Sequence, residues 1–342
     1  MLKPIEVPLA GHPDKICDVL VESVVDEYLR RDPEARMDIQ ALGSNGMVML
    51  GGVVESKADF DVAEIARRAY TNVGYSDPVE FFVNLERPRR DPTQHDAGVS
   101  GTTIVYGYAT RETRELLPRS IVYGNALARR IDDLRRTDSR FSWLRPDGKV
   151  QVVMRGSRPQ SVVVIVSHEP TIELSQVQGL ILEHVITPVI GDLEGAKILV
   201  NPSGKFCDGG FLLNAGVSGR KVLADTYGGL LPHGGVSLAG KDPLKPSRAG
   251  TFLARLAARE LLRSADVPNV LVTAVYSFGS ETPILLTARS GDGRDLSESL
   301  RQQFDFRPPA IVERLNLRRP LYAASTTYGV FSNPAMPWEE GA

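Results

Sequence analysis

Basic residues and glycines gather in one part of the 342-residue chain, in a pattern that suits phosphate. The segment 204–240 holds ten glycines in 37 residues, which lets the backbone approach a ligand closely. Lysine and arginine bind phosphate oxygens through charge-assisted hydrogen bonds. A solvated basic loop is the alternative, but the interleaved glycines, His233, Pro243 and Pro246 favour polyphosphate binding. The cations beside this backbone that could hold polyphosphate are Arg220, Lys221, Lys241, Lys245 and Arg248.

A second candidate is the stretch "GHPDKICD" near the start of the chain, in which a histidine, a carboxylate and a lysine lie within four positions. Apolar residues with helical spacing follow it, so His12 and Asp14 lie at a helix N-terminus, where free N–H groups and the helix dipole favour anions. Asp14 could bind Mg²⁺, and His12 could donate a hydrogen bond to a phosphate or a leaving oxygen. Taken alone, the pattern is more typical of a structural cap, with Asp14 capping the helix and His12 at the surface.

The stretch "GVSLAGKD" matches the P-loop pattern G-x-x-x-x-G-K except at its last position. Asp242 stands where a P-loop has the Ser or Thr that ligates Mg²⁺. Pro243 and Pro246 oppose a long helix directly afterwards, and no hydrophobic strand precedes the motif. The sequence therefore excludes a P-loop nucleotide site.

The elements that must position these residues follow one pattern three times: a helix, two strands joined as a hairpin, and a second helix. In the first repeat a helix over 16–29 precedes strands at 37–43 and 47–54, which the hairpin-type turn Ser44-Asn45-Gly46 joins. The strands of the second repeat are "KVQVVM" and "SVVVIVSH", and those of the third are "NVLVTAVYSF" and "PILLTARS". The repetition predicts an α+β fold of three domains with pseudo-threefold symmetry.

Composition excludes several classes of protein. Hydrophobic content of 42%, charged content of 24% and a net charge of −2 are typical of a soluble globular protein and predict no broad nucleic-acid surface. Cys17 and Cys207 are too few for a disulfide framework or a thiolate metal cluster. No apolar run is long enough to span a membrane, and the chain does not begin with a signal-peptide pattern, so the expected location is the reducing cytoplasm.

The segment 86–101, "ERPRRDPTQHDAGVSG", interrupts the repeats. It is rich in proline, glycine and charged residues, which predicts a mobile loop. Considered by itself, such a segment is most typical of a domain linker.

Together these motifs resemble the S-adenosylmethionine synthetase (methionine adenosyltransferase) family, of which the chain would be a divergent member. The similar segments follow in order over nearly the whole chain: "GHPDK", "GMVMLGG", "VYGYATRET", "WLRPDGKVQV", "NPSGKF", "SGRKVLADTYGG", "HGGVSLAGKDPLK" and "FDFRP…YAASTTYGVF…PW". The resemblance implies three interleaved α+β domains and a homodimer, often paired into tetramers, with active sites between the subunits. The domains are expected at 1–88, 102–207 and 208–342, with a gating loop at 89–101.

The resemblance implies that a thioether sulfur attacks C5′ of ATP and displaces tripolyphosphate, which is then cleaved to pyrophosphate and phosphate. Cations must stabilise the negative charge that the leaving group gathers. By resemblance, His12 lies at the breaking bond, Asp14 holds Mg²⁺, and Asp147 lies near the nucleoside. Phe206 would stack on adenine, with Phe278 opposite. The cations expected at the phosphates are Lys15, Lys149, Arg220, Lys221, Lys241 and Lys245, and the residues expected to be catalytic are His12, Lys149, Arg220 and Lys241.

The sequence departs from the family pattern where the ammonium group of methionine would bind. Val53 follows the glycine pair where the family has a glutamate, and Asn214 stands where it has an aspartate. A third family aspartate corresponds to Val99 or Gly101. Since each such charge-assisted contact is typically worth about 1.5–3 kcal/mol, methionine recognition would need a replacement. The candidate replacement carboxylates are Glu55 and Asp96.

Two further departures concern metals. Ser247 stands where the family has a second Mg²⁺-binding aspartate, and Gln40 stands where it has the glutamate associated with activation by K⁺. One Mg²⁺, held by Asp14 and carried in with ATP, is therefore expected, whereas dependence on K⁺ is in doubt.

The expected function is ATP-dependent adenosyl transfer to methionine or a methionine-like thioether. Three alternatives stay open: transfer to a small nucleophile without an α-ammonium group, tripolyphosphate hydrolysis alone, and a non-catalytic nucleotide-binding or structural subunit. The presence of His12, Lys149, Arg220 and Lys241 argues against the last of these.

Overall fold

Strands and helices alternate along the computed structural model, which describes residues 2–88, 101–235 and 237–340. The strands are β1 (Leu2–Pro8), β2 (Arg36–Ser44), β3 (Met47–Glu55), β4 (Glu80–Glu86), β5 (Thr103–Thr110), β6 (Leu144–Arg155), β7 (Arg158–His168), β8 (Lys197–Val200), β9 (Gly216–Val217), β10 (Asn269–Tyr276) and β11 (Leu285–Arg289). The helices are α1 (Pro13–Arg31), α2 (Val62–Val73), α3 (Arg119–Thr137), α4 (Leu174–Ile181), α5 (Thr187–Ile190), α6 (Val222–Asp225), α7 (Pro246–Ser264), α8 (Ser297–Gln303), α9 (Pro308–Arg314) and α10 (Tyr322–Ser325). The α+β class predicted from the sequence is confirmed.

Three sheets form, and each combines strands from distant parts of the chain. Their strand orders are β1-β6-β7-β8, β4-β3-β2-β9 and β11-β10-β5. The N-terminal strand β1 thus pairs with β6, β5 completes the sheet of β10 and β11, and β9 pairs with β2. This exchange is the interleaving that the resemblance implied. It brings the segments 11–15, 145–149 and 216–221 to one place, where the candidate residues lie.

The three predicted hairpins are present as antiparallel pairs: β2 with β3, β6 with β7, and β10 with β11. In the first hairpin Gly46 has a φ of +72°, a backbone conformation that glycine adopts without strain. Side chains alternate along β2, so that Ile39 faces the core while Leu42 faces outward. The outer face of the β2-β3-β4 sheet is left apolar and open; its exposed hydrophobic residues include Leu42, Met47, Met49, Val53 and Phe82.

Helix α7 corrects one expectation. Pro243 and Pro246 predict that no long helix follows directly, but the 19-residue α7 begins at Pro246. Proline suits the first helical position because its missing N–H would have no intrahelical partner there. Between β9 and α7, the described residues contribute to sheet pairing only through an isolated bridge at Lys241. The exclusion of a P-loop therefore stands on its other two grounds.

Helix α7 also corrects the interpretation of Arg248 as a phosphate-binding residue. Arg248 is fully buried and donates to both carboxylate oxygens of Glu22 on α1, at 2.6 and 2.7 Å. Its guanidinium carbon lies 4.0 Å from the centroid of the Tyr322 ring. Arg248 therefore joins α1, α7 and α10 inside the core.

No helix in the described ranges could span a membrane.

Candidate active site

The N-terminus of α1 packs against the first residues of β6. Leu9 and Gly11 donate backbone hydrogen bonds to the carbonyl oxygens of Gly148, at 2.9 Å, and Pro146, at 3.0 Å. A side chain at Gly11 would collide with Pro146, so only glycine permits this approach. The packing places the segment "GHPD" beside the strand that carries Lys149.

His12 is the N-cap of α1. Its Nδ1 accepts a hydrogen bond from the backbone N–H of Asp14 at 3.2 Å. Burial and the neighbouring cations Lys221 and Lys149 lower the pKa of His12 to about 4, although Asp14 opposes them. His12 is therefore neutral at pH 7. Because Nδ1 is the acceptor, the ring proton is assigned to Nε2, which makes Nε2 a hydrogen-bond donor.

Asp14 is buried in the first turn of α1, with 2% of its surface exposed. Its Oδ1 accepts from the backbone N–H of Val217 at 2.9 Å, and its Oδ2 accepts from Lys221 Nζ at 2.5 Å. Burial disfavours the charged form, but Lys221 and the Val217 N–H outweigh this effect and lower the pKa of Asp14. Asp14 is thus an ionised carboxylate that fixes β9 and the following residues on the N-terminus of α1.

Three cations surround this point and keep part of their surface free. The side chains of Lys149, Arg220 and Lys221 are 39%, 59% and 23% exposed. Arg220 Nη1 lies 3.5 Å from Asp14 Oδ1, and Lys149 Nζ lies 3.5 Å from a carboxylate oxygen of Glu6. Cations and a helix N-terminus together make a strong anion site. The α1 cluster, as we call it, consists of His12, Asp14, Lys149, Arg220 and Lys221.

Lys15, which the resemblance predicts at the phosphates, does not belong to this cluster. Lys15 is 1% exposed, and its Nζ donates to Asp225 at 2.7 Å and to Asp18 at 3.0 Å. Burial disfavours the charged ammonium, but the two carboxylates outweigh it and raise the pKa of Lys15. Because the ammonium is enclosed with two counterions, it serves to join α1 to α6 and cannot reach a ligand.

Asp147 lies in β6, two residues before Lys149, and Phe206 lies in the segment that follows β8. The Asp147 carboxylate accepts from the backbone N–H groups of Gly148, at 2.6 Å, and Gly210, at 2.7 Å. Burial raises the pKa of Asp147 to about 6 against these hydrogen bonds. The backbone N–H of the half-buried Phe206 donates to His168 Nε2 at 3.3 Å. Asp147 therefore anchors the glycine-rich loop, and a contact of either residue with a nucleoside stays a prediction.

Lys241 and Lys245 form part of a second group, beside β2. Lys241 is bridged to Asp38, is 6% exposed, and has its Nζ 3.4 Å from the hydroxyl of Ser247. Burial lowers the pKa of Lys241, and Lys245 adds to this effect while Asp38 opposes it. In the ranges that the structure describes, no carboxylate oxygen lies within 4 Å of this ammonium. Lys245 is the N-cap of α7, so an anion bound there would meet two cations and a helix N-terminus.

The structure does not bring this second group into the α1 cluster. The charges that act on Lys241 come from Asp38, Arg248 and Lys245, none of which belongs to the cluster. Within the described residues, the charged neighbours of Lys241 are therefore different from those of the α1 cluster.

Gln40 and Val53 lie on the outer face of the sheet, beside Asp38. Gln40 Oε1 accepts from the Ser218 hydroxyl at 2.9 Å, and its Nε2 donates to Asp38 Oδ1 at 3.2 Å. Val53 on β3 is the direct partner of Asp38 on β2. We name Asp38, Gln40, Val53, Lys241 and Lys245 the β2 face.

Sequence reasoning missed Asp38. The replacement carboxylates that the sequence suggested were Glu55, two residues beyond Val53 on the same strand, and Asp96, in the loop. The signal lay in the hairpin register: the tight turn at 45–46 pairs Ser44 with Met47, and counting along both strands places Asp38 opposite Val53. Asp96 lies outside the described residues.

Two of the remaining predicted positions are exposed. Phe278, in the loop between β10 and β11, is 68% exposed, and Asn214 lies at the surface. Gly101 is half-buried and has open space where a side chain would be. Val99 and most of the proposed gating loop, 89–100, lie outside the described residues.

The described residues contain no cluster of three His, Cys, Asp or Glu side chains that could hold a metal ion. Asp14 offers a single ionised carboxylate beside exposed cations. Proteins commonly bind Mg²⁺ through one or two carboxylates together with substrate phosphates. The donor set therefore fits one ion that arrives with a polyphosphate, and it does not fit a resident ion with several protein ligands.

Comparison with known proteins gives consistent matches over the length of the chain. Three models match in order: "S-adenosylmethionine synthetase, N-terminal domain" at 5–86, the central domain at 96–206 and the C-terminal domain at 208–340. S-adenosylmethionine synthase of Petrotoga mobilis is 33% identical over 99% of this chain and 96% of its own length. The synthase of Aquifex aeolicus is 32% identical with the same coverage. That of Deinococcus radiodurans is 34% identical over 96% of this chain and 93% of its own.

Proposed function

The chain belongs to the S-adenosylmethionine synthetase family, and we propose that it transfers the adenosyl group of ATP to the sulfur of methionine or a methionine-like thioether. A sulfur lone pair forms the new bond to C5′ while the C5′–O bond breaks, and its electron pair leaves with tripolyphosphate. The product is a sulfonium ion, and no proton is transferred. Water then cleaves tripolyphosphate to pyrophosphate and phosphate. The observation that carries the proposal is the convergence of the α1 cluster on one helix N-terminus.

The α1 cluster suits the leaving group of this reaction. Negative charge grows on the departing oxygen as C5′–O breaks, and donors already in place stabilise that charge without reorganising. Lys149, Arg220 and Lys221 are fixed by their acidic neighbours yet partly exposed. His12 offers the neutral Nε2–H donor, which fits a role at the ribose side of the breaking bond.

Asp14 is the residue that would hold Mg²⁺. When bound, the ion would neutralise charge on the phosphate oxygens. In the structure Lys221 and the Val217 N–H occupy one lone pair on each carboxylate oxygen, which keeps Asp14 ionised and oriented. The neutral Gln40 gives no charge that would attract K⁺, so we propose that the activity does not require K⁺.

We further propose a homodimer in which the α1 cluster of one chain faces the β2 face of the other. Lys241 is a nearly buried ammonium without a close carboxylate among the described residues, which is a costly arrangement unless an anion binds it. The outer sheet face exposes Leu42, Met49 and Phe82 by 42–50% of their surface. Such an apolar patch is typical of an interface. A dimer would cover the patch and bring Lys241 and Lys245 to the phosphates.

The direct test is to incubate the protein with Mg²⁺ and ATP, with and without methionine, and to detect S-adenosylmethionine by mass spectrometry. We expect that product together with pyrophosphate and phosphate. The changes at Val53 and Asn214 favour one competing function, transfer to an acceptor without an α-ammonium group. Absence of S-adenosylmethionine at high methionine, with tripolyphosphate still cleaved, would reject methionine as the acceptor. Absence of all ATP turnover would indicate a non-catalytic subunit.

A further inference from the structure

Three strand segments place three chemically different residues in one row on the outer sheet face. Asp38 on β2 lies between Val53 on β3 and Lys241, which is bridged to it from the other side. Directly paired residues of antiparallel strands point to the same face, and neighbouring strands are about 4.7–4.9 Å apart. Across roughly 10 Å, the row therefore runs from an apolar side chain, Val53, through an anionic one, Asp38, to a cationic one, Lys241.

The Asp38 carboxylate is available to a ligand. Asp38 is half-buried, and Gln40 Nε2 donates to its Oδ1 at 3.2 Å, which orients the carboxylate. Within the described residues, no hydrogen bond is made to its Oδ2. No lysine, arginine or histidine nitrogen in the described ranges lies within 4 Å of it, although the charge of Lys241 is near. An oriented carboxylate without a close counterion, on an otherwise apolar sheet face, is a site for a cation.

A recess lies next to this carboxylate. Gly51 on β3 is paired with Gln40 on β2 and with Asn84 on β4. This row of three residues lies beside the row of Asp38 and Val53, and because its central residue is glycine, it has no side chain at its centre. A Cβ at Gly51 would approach only the Asn84 carbonyl oxygen, at 3.9 Å. The space has an apolar edge at Val53 and an anionic edge at Asp38, which suits a small molecule with an alkyl chain and an ammonium group.

We propose that Asp38 determines the acceptor specificity of this enzyme by accepting a hydrogen bond from the α-ammonium group of the amino-acid substrate. The proposal rests on the proposed adenosyl transfer and deepens it: the acceptor is an α-amino acid thioether. Lys241, next in the row, binds the phosphates of ATP, so the ammonium and the polyphosphate occupy neighbouring positions of opposite charge. Asp38 thus supplies a carboxylate on the strand opposite Val53.

The competing explanation is that Asp38 serves only to keep Lys241 protonated. The two roles predict different patterns. A counterion of Lys241 would affect the binding of ATP equally with every acceptor. A ligand of the ammonium would affect only those acceptors that carry one.

The experiment compares D38N with the wild type on three acceptors: methionine, 3-(methylthio)propylamine, which keeps the amine, and 3-(methylthio)propanoate, which lacks it. D38N keeps the shape of the side chain and the acceptor for Gln40. We expect kcat/KM to fall about 10–100-fold for the two amines, the range of a charged hydrogen bond, and to change less than about threefold for the propanoate. The KM of D38N for ATP should likewise differ from that of the wild type by less than about threefold. The matched control is D133N, which removes an exposed carboxylate on α3.

A rescue variant sharpens the test. Val53→Glu in the D38N background returns a carboxylate to the opposite strand and should recover most of the lost kcat/KM for methionine. An unchanged kcat/KM for methionine in D38N, or an equal loss for all three acceptors, overturns the proposal. A wild-type enzyme that uses the propanoate but neither amine also overturns it while leaving adenosyl transfer intact. A wild-type protein that forms no sulfonium from any acceptor instead rejects the proposed function.

Discussion

The α1 cluster and the β2 face both hold residues expected at the active site, yet they are built in opposite ways. In the α1 cluster every charge has a partner: Lys221 pairs with Asp14 at 2.5 Å, and Lys149 lies 3.5 Å from Glu6. On the β2 face, Lys241 and Asp38 are neighbours that form no close ion pair with any residue the structure describes, and they adjoin an exposed apolar surface. One region is electrostatically complete within the chain, and the other is not.

This difference shows which of the two regions depends on charged groups from a ligand or a partner subunit. Removing an unpaired buried charge from water costs several kcal/mol, so natural proteins leave such charges mainly where a ligand or partner satisfies them. The α1 cluster can be preorganised before ATP arrives. The β2 face is organised by what binds it, which in our proposal is the partner subunit together with ATP and the acceptor.

The test with the largest expected effect prevents a partner subunit from covering the β2 face. Met49→Asp places a charge on the exposed apolar sheet without touching the core, so the chain should fold and the dimer should not form. Analytical ultracentrifugation should show 37.4 kDa instead of twice that mass. Adenosyl transfer should fall by at least about 10³-fold, because each site loses both cations of the β2 face.

Leu182→Asp is the control for Met49→Asp, since Leu182 is also an exposed apolar residue but lies outside the β2-β3-β4 sheet. It should keep both the dimer and the activity. A monomeric Met49→Asp protein with full activity would show that one chain contains a complete site.

A second test removes a buried charge from α1, next to the α1 cluster but outside it. Lys15→Met leaves Asp18 and Asp225 buried without their shared ammonium, which should lower the free energy of unfolding by about 3–5 kcal/mol. Urea denaturation followed by circular dichroism measures this. Lys205→Met removes a surface pair with Glu173 and should cost less than about 1 kcal/mol. Equal, small losses of unfolding free energy in the two variants would mean that the ion pairs of Lys15 contribute no more to stability than the surface pair of Lys205.

The two regions also differ in how far the sequence predicted them. The hairpins, the helix starting near His12 and the family motifs all follow from local signals: apolar periodicity, a turn at 44–46 and a capped helix. The sequence did not show that Lys15 is enclosed with the distant Asp225, or Arg248 with the distant Glu22, because burial of a cation depends on tertiary contacts. Nor did it reveal Asp38, whose position opposite Val53 emerges only when the register of two strands is counted.

A third test reduces the charge of the α1 cluster without unfolding it. Lys149→Ala should lower kcat for adenosyl transfer by about 10²–10³-fold, the usual effect of removing one preorganised donor from a developing negative charge. Its side chain is 39% exposed and, among the described residues, forms an ion pair with the half-exposed Glu6 alone, so the melting temperature should change little. Lys57→Ala, an exposed lysine beyond β3, serves as the control. Retained activity in Lys149→Ala would show that the cluster does not hold the leaving group.

The finest test asks whether the α1 cluster is cationic enough to keep His12 neutral. The pKa of His12 is about 4 in the folded chain and about 6.5 in the unfolded chain, so the unfolded chain binds more protons between these values. Stability contributed by neutral His12 is therefore lost as the pH falls from about 6.5 to 4. His12→Asn keeps a good N-cap but cannot titrate. Unfolding free energies measured in urea at pH 7 and pH 4.5 should show the wild type losing about 1–3 kcal/mol more than this variant. Equal losses would mean that His12 is accessible to protons in the folded cluster, and that Lys149 and Lys221 do not act on it as a preorganised anion site would.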